Sequence, residues 1–237
     1  MIDIGKQVKR VLAPDGSFIF NVGDKTSKKK RSLYIMKTII GFVEECGLNL
    51  HDEYIWAKPS CMPSGSEKRL NNTHEYIFHL TRGPGSHKAY IDEVREPHKE
   101  ISIQRARYKA ATNKVVDDDG TAHQPGVLRG INMKGKIPSS VFKFQTAGVL
   151  RESGKHPAPF NPELPEWFIQ YLTEKGDIVL DPFMGSGSTA IAAKRYGRDY
   201  LGFDITPRYI EMAKSRVEKE HRIAKETFSK IDGLMDF

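Results

Sequence analysis

The stretch Asp181–Ala190, with the sequence DPFMGSGSTA, joins an apolar run to a helical pattern through a turn that contains two glycines. The apolar run Asp177–Asp181 predicts a buried strand, and the spacing that follows predicts a helix over Ser188–Tyr196. Gly185 and Gly187 allow the backbone to bend sharply and to come close to a ligand. The helix would begin with free N–H groups that point outward, as in many nucleotide sites.

A second acidic residue strengthens this prediction. Asp204 ends the next predicted strand, Tyr200–Asp204, and lies 17 residues after Gly187. A carboxylate at this place can accept hydrogen bonds from both hydroxyls of a ribose. The two features together predict a nucleoside-containing cofactor, and a strand-to-helix turn without a ligand is the alternative.

A dehydrogenase is a competing interpretation, because Gly185, Gly187 and Ala190 also fit the G-x-G-x-x-A pattern of a nicotinamide cofactor site. In a dehydrogenase this turn opens a doubly wound domain, and several strand–helix units follow it. Only 33 residues follow Asp204, which is enough for one long helix, predicted over residues 207–221, and a tail. The rest of the sheet must come from earlier strands, an order that does not suit a dehydrogenase.

Earlier parts of the chain contain the patterns of these strands and of the helices that cover them. Short apolar runs bounded by turn residues indicate strands, and apolar residues at a spacing of three and four indicate helices. The predicted strands are Ser17–Val22, Asn49–Trp56 and Glu75–Leu80, and the predicted helices are Gly5–Leu12, Arg31–Cys46 and Pro162–Leu172.

The helix predicted over Arg31–Cys46 has an apolar face and a C-terminal stop signal. Gly47 follows it at the place of a glycine cap. The residues expected on the apolar face are Leu33, Met36, Ile39, Ile40 and Val43.

The composition favours a polyanionic partner and an intracellular protein. The formal charge is +7 and the pI about 9.2, and clustered Lys and Arg bind phosphates. No apolar run reaches the roughly 18 residues of a membrane span, and the N-terminus lacks the hydrophobic core of a signal peptide, so we expect a cytoplasmic location. Cys46 and Cys61 show no metal-ligand spacing, which predicts two reduced thiols.

Several motifs, in their order along the chain, resemble those of the beta class of amino-group DNA methyltransferases. These enzymes methylate the N6 of adenine or the N4 of cytosine. The motifs are Asp181–Thr189, Gly202–Asp204, His156–Phe160, Val11–Ser17, Asn21–Asp24, Trp56–Pro59 and His74–Phe78.

The resemblance implies an α/β, Rossmann-like S-adenosylmethionine-dependent methyltransferase fold. The fold would be permuted, with the cofactor strand near the C-terminus, and would carry an inserted target-recognition region. The expected divisions are an N-terminal part of the methyltransferase domain (1–82), the insertion (83–154), the cofactor-binding part (155–220) and a tail (221–237).

The implied function is site-specific transfer of a methyl group from S-adenosyl-L-methionine to an adenine or cytosine amine in double-stranded DNA, as in restriction–modification systems. The residues expected to bind the cofactor are Asp181, Phe183, Gly185, Ser186, Gly187, Thr189, Asp204, His156 and Phe160. Those expected to bind DNA are Arg105, Arg107 and Lys109, for which a solvated basic loop is the alternative.

Two residues are further candidates near the expected base pocket, and two tryptophans are not. The resemblance places Asp24 and Lys58 beside the flipped base, with a turn acid and a solvated lysine as equally supported alternatives. Trp56 and Trp167 are expected in the core rather than as stacking platforms.

The chain departs from the family at the catalytic motif, Asp/Ser/Asn-Pro-Pro-Tyr/Phe, which occurs nowhere in the sequence. The family places it before the helix that contains Gly5–Leu12, so we expect the motif and its strand to lie upstream of Met1 or on a second chain. A non-catalytic subunit that binds cofactor and DNA is the competing hypothesis, and a homodimer is a further alternative. Methylation of RNA or a small molecule is a weaker alternative.

Overall fold

The computed structural model describes residues 1–23, 26–27, 30–59, 68, 70–112, 115–116, 122–123, 132–145 and 162–220. At residues 26–27, 107–112, 115–116 and 122–123 it describes the backbone alone. The chain forms two compact units, one of Met1–Ala89 with Ser140–Phe237 and one of Tyr90–Ser139. No helix among the described residues is long and apolar enough to cross a membrane.

The larger unit contains a four-stranded mixed sheet. Its strands, in spatial order, are β1 (Ser17–Val22), β5 (His74–Thr81), β4 (Asn49–Ala57) and β8 (Val141–Phe142). β5 runs antiparallel to β1 and β4, and β8 runs parallel to β4. The three strands predicted in this part of the chain are confirmed, whereas β8 is too short to show an alternating pattern.

Two helices, α1 (Ile2–Val11) and α2 (Tyr34–Glu44), pack against this sheet. Both were predicted, although α1 begins three residues earlier than its apolar pattern. Gly47 has a φ of 65° and donates its N–H to the Val43 carbonyl at 3.1 Å, which confirms the predicted cap.

Of the residues on the apolar face predicted for α2, only Ile39 is buried. The side chains that α2 buries against the sheet are Ile35, Ile39 and Phe42, whereas Leu33, Met36, Ile40 and Val43 are exposed. The helix is apolar on most sides, so its spacing does not select one face. The Phe42 ring determines which face of α2 is buried, because its centroid lies 5.7 Å and 5.3 Å from those of Phe18 and Phe20 in β1.

The second sheet of the larger unit is a parallel pair, β9 (Ile178–Asp181) and β10 (Asp199–Gly202). α5 (Ser188–Arg195) connects them, α4 (Glu163–Leu172) precedes them, and a helix over residues 207–220, here α6, follows them. All three helices were predicted. Ile210, Ala213 and Val217 form the buried side of α6, as expected.

β9 is not the buried strand that its sequence predicts. Val179 packs with Ile169 of α4, but Ile178 on the other face is 70% exposed and Leu180 is 37% exposed. Among the described strands β9 pairs only with β10, and β1 pairs only with β5. A parallel strand is normally covered on both faces, so among the described residues this sheet has an open apolar face and an open edge.

α4 and Lys88 hold the two sheets together. α4 packs against the four-stranded sheet through Phe168 and against Val179 of β9 through Ile169. Lys88 donates its backbone N–H to the Asp15 carbonyl, just before β1, at 3.0 Å. Its ammonium group lies 3.0 Å from the Asp177 carboxylate, just before β9. β1 and β9 therefore begin at the same end of the unit.

The smaller unit contains a 3₁₀ helix (Ile91–Val94), α3 (Glu100–Thr112) and a short strand pair, β6 (Val115–Val116) with β7 (Ala122–His123). A further pair, β2 (Thr26–Ser27) with β3 (Lys30–Arg31), belongs to the larger unit. α3 was not predicted, because its 13 residues lack a continuous apolar face. This unit lies within the predicted insertion 83–154, whose boundaries remain a prediction.

Candidate cofactor-binding site

The parallel pairing of β9 and β10 builds the site, because it brings the C-terminal ends of both strands to one edge. Gly202 lies opposite Asp181 in the register. Beyond the strands, Phe203 donates its N–H to the Asp181 carbonyl at 2.9 Å, and Met184 donates its N–H to the Phe203 carbonyl at 2.8 Å. The glycine turn and the segment that contains Asp204 are thus fastened side by side, as the sequence predicts for one binding site.

Asp181 shapes the start of the turn. One carboxylate oxygen accepts a hydrogen bond from the Phe183 N–H at 2.9 Å, and the other accepts one from the Thr189 hydroxyl at 2.6 Å. The Thr189 hydroxyl therefore fastens the first turn of α5 to the end of β9. Any contact of Thr189 with a cofactor, as predicted, would be made in addition to this hydrogen bond to Asp181.

Asp204 lies two residues beyond β10 and joins the two halves of the site. One carboxylate oxygen accepts the Gly185 N–H at 3.0 Å, and the other accepts the Thr206 N–H at 2.8 Å. An ionised carboxylate has about four lone-pair positions, so each oxygen retains capacity for one more donor. The carboxylate is held in place and can still accept hydrogen bonds from a ligand.

The two glycines of the turn adopt left-handed backbone conformations, with φ of 51° at Gly185 and 84° at Gly187. A Cβ at Gly187 would lie 2.8 Å from the Ala213 Cβ in α6. The sequence analysis explained the two glycines by the sharp bend and by the close approach of a ligand. At Gly187 the structure adds another reason, the close approach of α6 to the turn.

Arg216 of α6 is a residue of the site that the sequence analysis missed. Its guanidinium donates to the carbonyl and to the hydroxyl of Ser186, at 2.5 Å and 2.9 Å. Ser186 is buried, so the Arg216 side chain stabilises the turn through these hydrogen bonds on its protein side. Only the fold brings these two residues together, because 30 positions separate them in the chain.

Large apolar side chains stand exposed around the two carboxylates. Phe183 is 61% exposed, Phe203 is 54% exposed and Ile205 is fully exposed. Apolar groups beside a few fixed polar groups are typical of sites for small organic ligands. This set suits a nucleoside, whose base needs flat apolar contacts and whose ribose needs acceptors.

The structure describes only some of the other residues that the sequence analysis singled out. His156, Phe160 and Asp24 lie outside the described residues, as does Cys61, whereas Cys46 is a free, buried thiol. Lys58 forms an ion pair with Glu75, which also accepts a hydrogen bond from the Asn21 amide at 2.9 Å.

The two tryptophans belong to the core, as predicted. Trp56 is buried and donates its indole N–H to the Phe144 carbonyl at 2.8 Å. Trp167 packs in the same aromatic cluster, with its ring 4.7 Å from that of Phe142.

The residues predicted to bind DNA fall on α3 in the smaller unit. Arg105 is exposed, and the side chains of Arg107 and Lys109 lie outside the described part of the chain. A helix places residues four apart on the same side and residues two apart on opposite sides. Positions 105 and 109 therefore share a side of α3, and position 107 lies across from them.

A family model described as DNA methylase, for N6 and N4 methyltransferases, matches residues 1–215. The chain belongs to this family. Membership rules out the dehydrogenase interpretation and favours an enzyme over a non-catalytic binding subunit. The match includes the glycine turn, Asp204 and the whole of the predicted insertion 83–154.

Curated relatives in this family are bacterial DNA methyltransferases. The chain is 27% identical to the type II methyltransferase M.PvuII of Proteus hauseri, over 88% of this chain and 67% of the relative. It is 28% identical to the orphan methyltransferase M.BamHII of Bacillus amyloliquefaciens, over 91% of this chain and 80% of the relative. For the type II methyltransferase M.BglII of Bacillus subtilis the identity is 28%, over 89% of this chain and 54% of the relative.

Solved structures share the fold. The PvuII DNA methyltransferase, described as cytosine-N4-specific, superposes with a TM-score of 0.67 at 24% identity, over 94% of this chain and 74% of that one. A putative DNA modification methylase of Thermus thermophilus, complexed with S-adenosyl-L-methionine, gives a TM-score of 0.60 at 23% identity, over 92% of this chain and 75% of that one. The fold is therefore the predicted α/β methyltransferase fold with its cofactor strand late in the chain.

Proposed function

We propose that this methylase transfers a methyl group from S-adenosyl-L-methionine to the exocyclic amine of adenine or cytosine at a short DNA site, within a restriction–modification system. The observation that carries the proposal is the pair of carboxylates, Asp181 and Asp204, fastened around the glycine turn at one edge of β9 and β10. This edge is where open α/β sheets bind nucleotide-like ligands.

The described residues fit the cofactor. Asp204 would accept the ribose hydroxyls, and the exposed rings of Phe183 and Phe203 would contact the adenine. The turn at Gly185–Gly187 would let the methionine part of the cofactor approach the backbone. When bound, the cofactor supplies an electrophilic methyl group on its sulfonium.

The target base must be held so that its amine nitrogen faces this methyl group. The amine is a weak nucleophile, because its lone pair is conjugated with the ring, so orientation contributes much of the rate. In the resembled family the polar first residue and the proline carbonyl of the Asp/Ser/Asn-Pro-Pro-Tyr/Phe motif accept hydrogen bonds from the amine, and the aromatic residue stacks on the base. The 237 residues contain no Pro-Pro pair, so this contact would come from a segment outside them.

The free edges of β1 and β9 among the described strands support a specific place for such a segment. Both strands begin at the end of the unit that Lys88 fastens, both pack against α4, and neither has a second neighbour among the described strands. One extended segment between them would join the two sheets through backbone hydrogen bonds. If it ran parallel to β9, its C-terminal end would lie beside the glycine turn, where the amine has to be held.

The test measures binding and chemistry separately. Calorimetry with S-adenosyl-L-methionine and the 237-residue protein should show one bound cofactor per chain. A second reaction contains DNA, the cofactor, the protein and a peptide with the missing Pro-Pro-Tyr/Phe segment. Mass spectrometry of the digested DNA should then detect N4-methylcytosine or N6-methyladenine. Cofactor binding without either product, in the presence of the segment, would contradict DNA as the substrate.

The likeness to a cytosine-N4-specific enzyme supports N4-methylcytosine as the product. The same mass-spectrometric experiment decides this point. N6-methyladenine alone would contradict the choice of base and leave the class of reaction unchanged.

A further inference from the structure

Three histidines that have no part in the cofactor site gather at one end of the four-stranded sheet. The ring centroid of His51 lies 4.1 Å from that of His87 and 4.8 Å from that of His79. The rings of His79 and His87 are 4.9 Å apart. One ring nitrogen from each histidine can be chosen so that all three lie within 4.8 Å of one another.

The fold brings the three residues together from separate elements. His79 lies in the central strand β5 and is fully buried. His51 lies in β4 where the register with β5 shifts between Leu50 and Asp52, so it is the extra residue of a β-bulge. Bulges redirect side chains and are common beside functional sites.

The third histidine lies in a loop that is fixed on both sides. His87 follows a turn in which Ser86 and Gly83 hydrogen-bond, and it precedes Lys88, which is fastened to Asp15 and Asp177. Its Nδ1 is buried and has no hydrogen-bond partner among the described residues. An unpaired buried nitrogen is destabilising, so a partner for it would stabilise the fold.

Imidazole side chains are common protein ligands of divalent transition-metal ions. Neutral imidazole has the free lone pair that binds a metal ion.

We propose that His51, His79 and His87 bind a divalent transition-metal ion, Zn²⁺ in particular, as a three-histidine site at this end of the sheet. Zn²⁺ binds imidazole nitrogens at about 2.0–2.1 Å in tetrahedral geometry, which places the ligand nitrogens about 3.4 Å apart. The ligand nitrogens are now up to 4.8 Å apart. Side-chain rotation of the exposed His51 and the half-buried His87 would bring them to that distance, with the buried His79 fixed.

Hydrogen bonds to His79 would orient its ring. One nitrogen lies 2.8 Å from the Ser17 hydroxyl and the other lies 3.4 Å from the Tyr54 hydroxyl. The ion would replace one of these contacts, and the other would hold the ring, as outer hydrogen bonds do in metal sites. A fourth position would remain for water or for another ligand.

The site would stabilise the fold and would not take part in methyl transfer. Ser17 begins β1, and β1 begins at the same end as β9, whereas the glycine turn follows the other end of β9. A metal here would link β4, β5 and the loop after β5. The proposal does not depend on the proposed function.

The experiment titrates the metal-free 237-residue protein with Zn²⁺ in competition with a chromophoric chelator. We expect one ion per chain, a rise in Tm because the ion binds the folded state, and a tetrahedral absorption spectrum with Co²⁺. His51→Gln and His87→Gln should each weaken binding by at least about tenfold, as the loss of a ligand does.

His74→Gln is the matched control, because His74 also lies in β5 but contacts Tyr76 rather than the cluster. This variant should bind Zn²⁺ as the unmodified protein does. The two ligand variants replace surface or half-buried side chains, so they should remain folded even if a change at His79 does not. No binding by the unmodified protein, or undiminished binding by both ligand variants, would overturn the proposal.

Discussion

At the residue scale, Asp204 combines a structural role with a proposed binding role. Its carboxylate accepts hydrogen bonds from the N–H groups of Gly185 and Thr206 and still has lone pairs for a ribose. Asp204→Ala should remove two hydrogen bonds to the ribose, each worth roughly 1.5–3 kcal/mol because the acceptor is charged. We expect calorimetry to show that S-adenosyl-L-methionine binds at least about tenfold more weakly. Asp199→Ala, at the exposed start of β10, the strand that leads to Asp204, is the control and should leave the affinity unchanged. Full affinity in a folded Asp204→Ala protein would contradict the ribose role.

Gly202 of β10 packs closely against the glycine turn of the site. A Cβ at this position would lie 2.0 Å from the Met184 sulfur, in the first residues of the glycine turn. Gly202→Ala should therefore lower the free energy of unfolding by about 1–3 kcal/mol, as overpacking does in buried sites. Urea denaturation measures the change.

Gly83→Ala is the matched control for this substitution, because nothing lies within 4 Å of the added carbon there. Met184→Ala creates the missing space and should reduce the cost of Gly202→Ala in a double-mutant cycle. Equal costs of Gly202→Ala with Met184 and with alanine at that position would show that the contact is not the cause.

At the scale of elements, α3 turns the predicted DNA contacts into a directional prediction. Positions 105 and 109 lie on one side of the helix and position 107 on the other. If that side faces DNA, Arg105→Gln with Lys109→Gln should lower the slope of log K against log salt by up to about two, because each lost phosphate contact contributes about 0.9.

Arg107→Gln, which removes one charge from the opposite side of the same helix, is the comparison. It should change the slope much less than either of the other substitutions does alone. Filter binding to a duplex at several salt concentrations gives all the slopes. A slope that follows only the number of charges removed would mean that α3 presents no specific side to DNA.

For the whole molecule, the open edges of β1 and β9 bear on activity. The purified 237-residue protein should transfer methyl groups to DNA at the background rate, because its sequence lacks the Pro-Pro-Tyr/Phe motif that orients the amine in the resembled family, and each 1.36 kcal/mol of lost orientation is a factor of ten. Tritiated-methyl incorporation into mixed-sequence duplex measures the rate.

Adding a peptide that contains an apolar strand followed by Pro-Pro-Tyr should restore incorporation, whether it is fused or separate. The same peptide with Ala-Ala in place of Pro-Pro is the control, since it keeps the strand and changes the amine contact. Rapid turnover by the chain alone would contradict the prediction and would point to an amine-binding group among its own residues.

The sequence by itself determined the features that depend on neighbouring residues. The glycine turn, its acid, the later Asp204 and the order of strands were all predicted, because strand and helix periods, caps and turns are set by local backbone preferences. The resemblance to amino-methyltransferases rests on the same contiguous motifs, and the family match confirms it.

Only the tertiary structure decided which surfaces meet. α2 is apolar on most sides, so packing against Phe18 and Phe20 selected its buried face. β9 has the composition of a buried strand, but its burial depends on neighbours that the described chain does not supply. The support of Ser186 by Arg216 and the cluster of His51, His79 and His87 join residues that are distant in the chain. Such contacts leave no local pattern, because they arise from how whole elements pack.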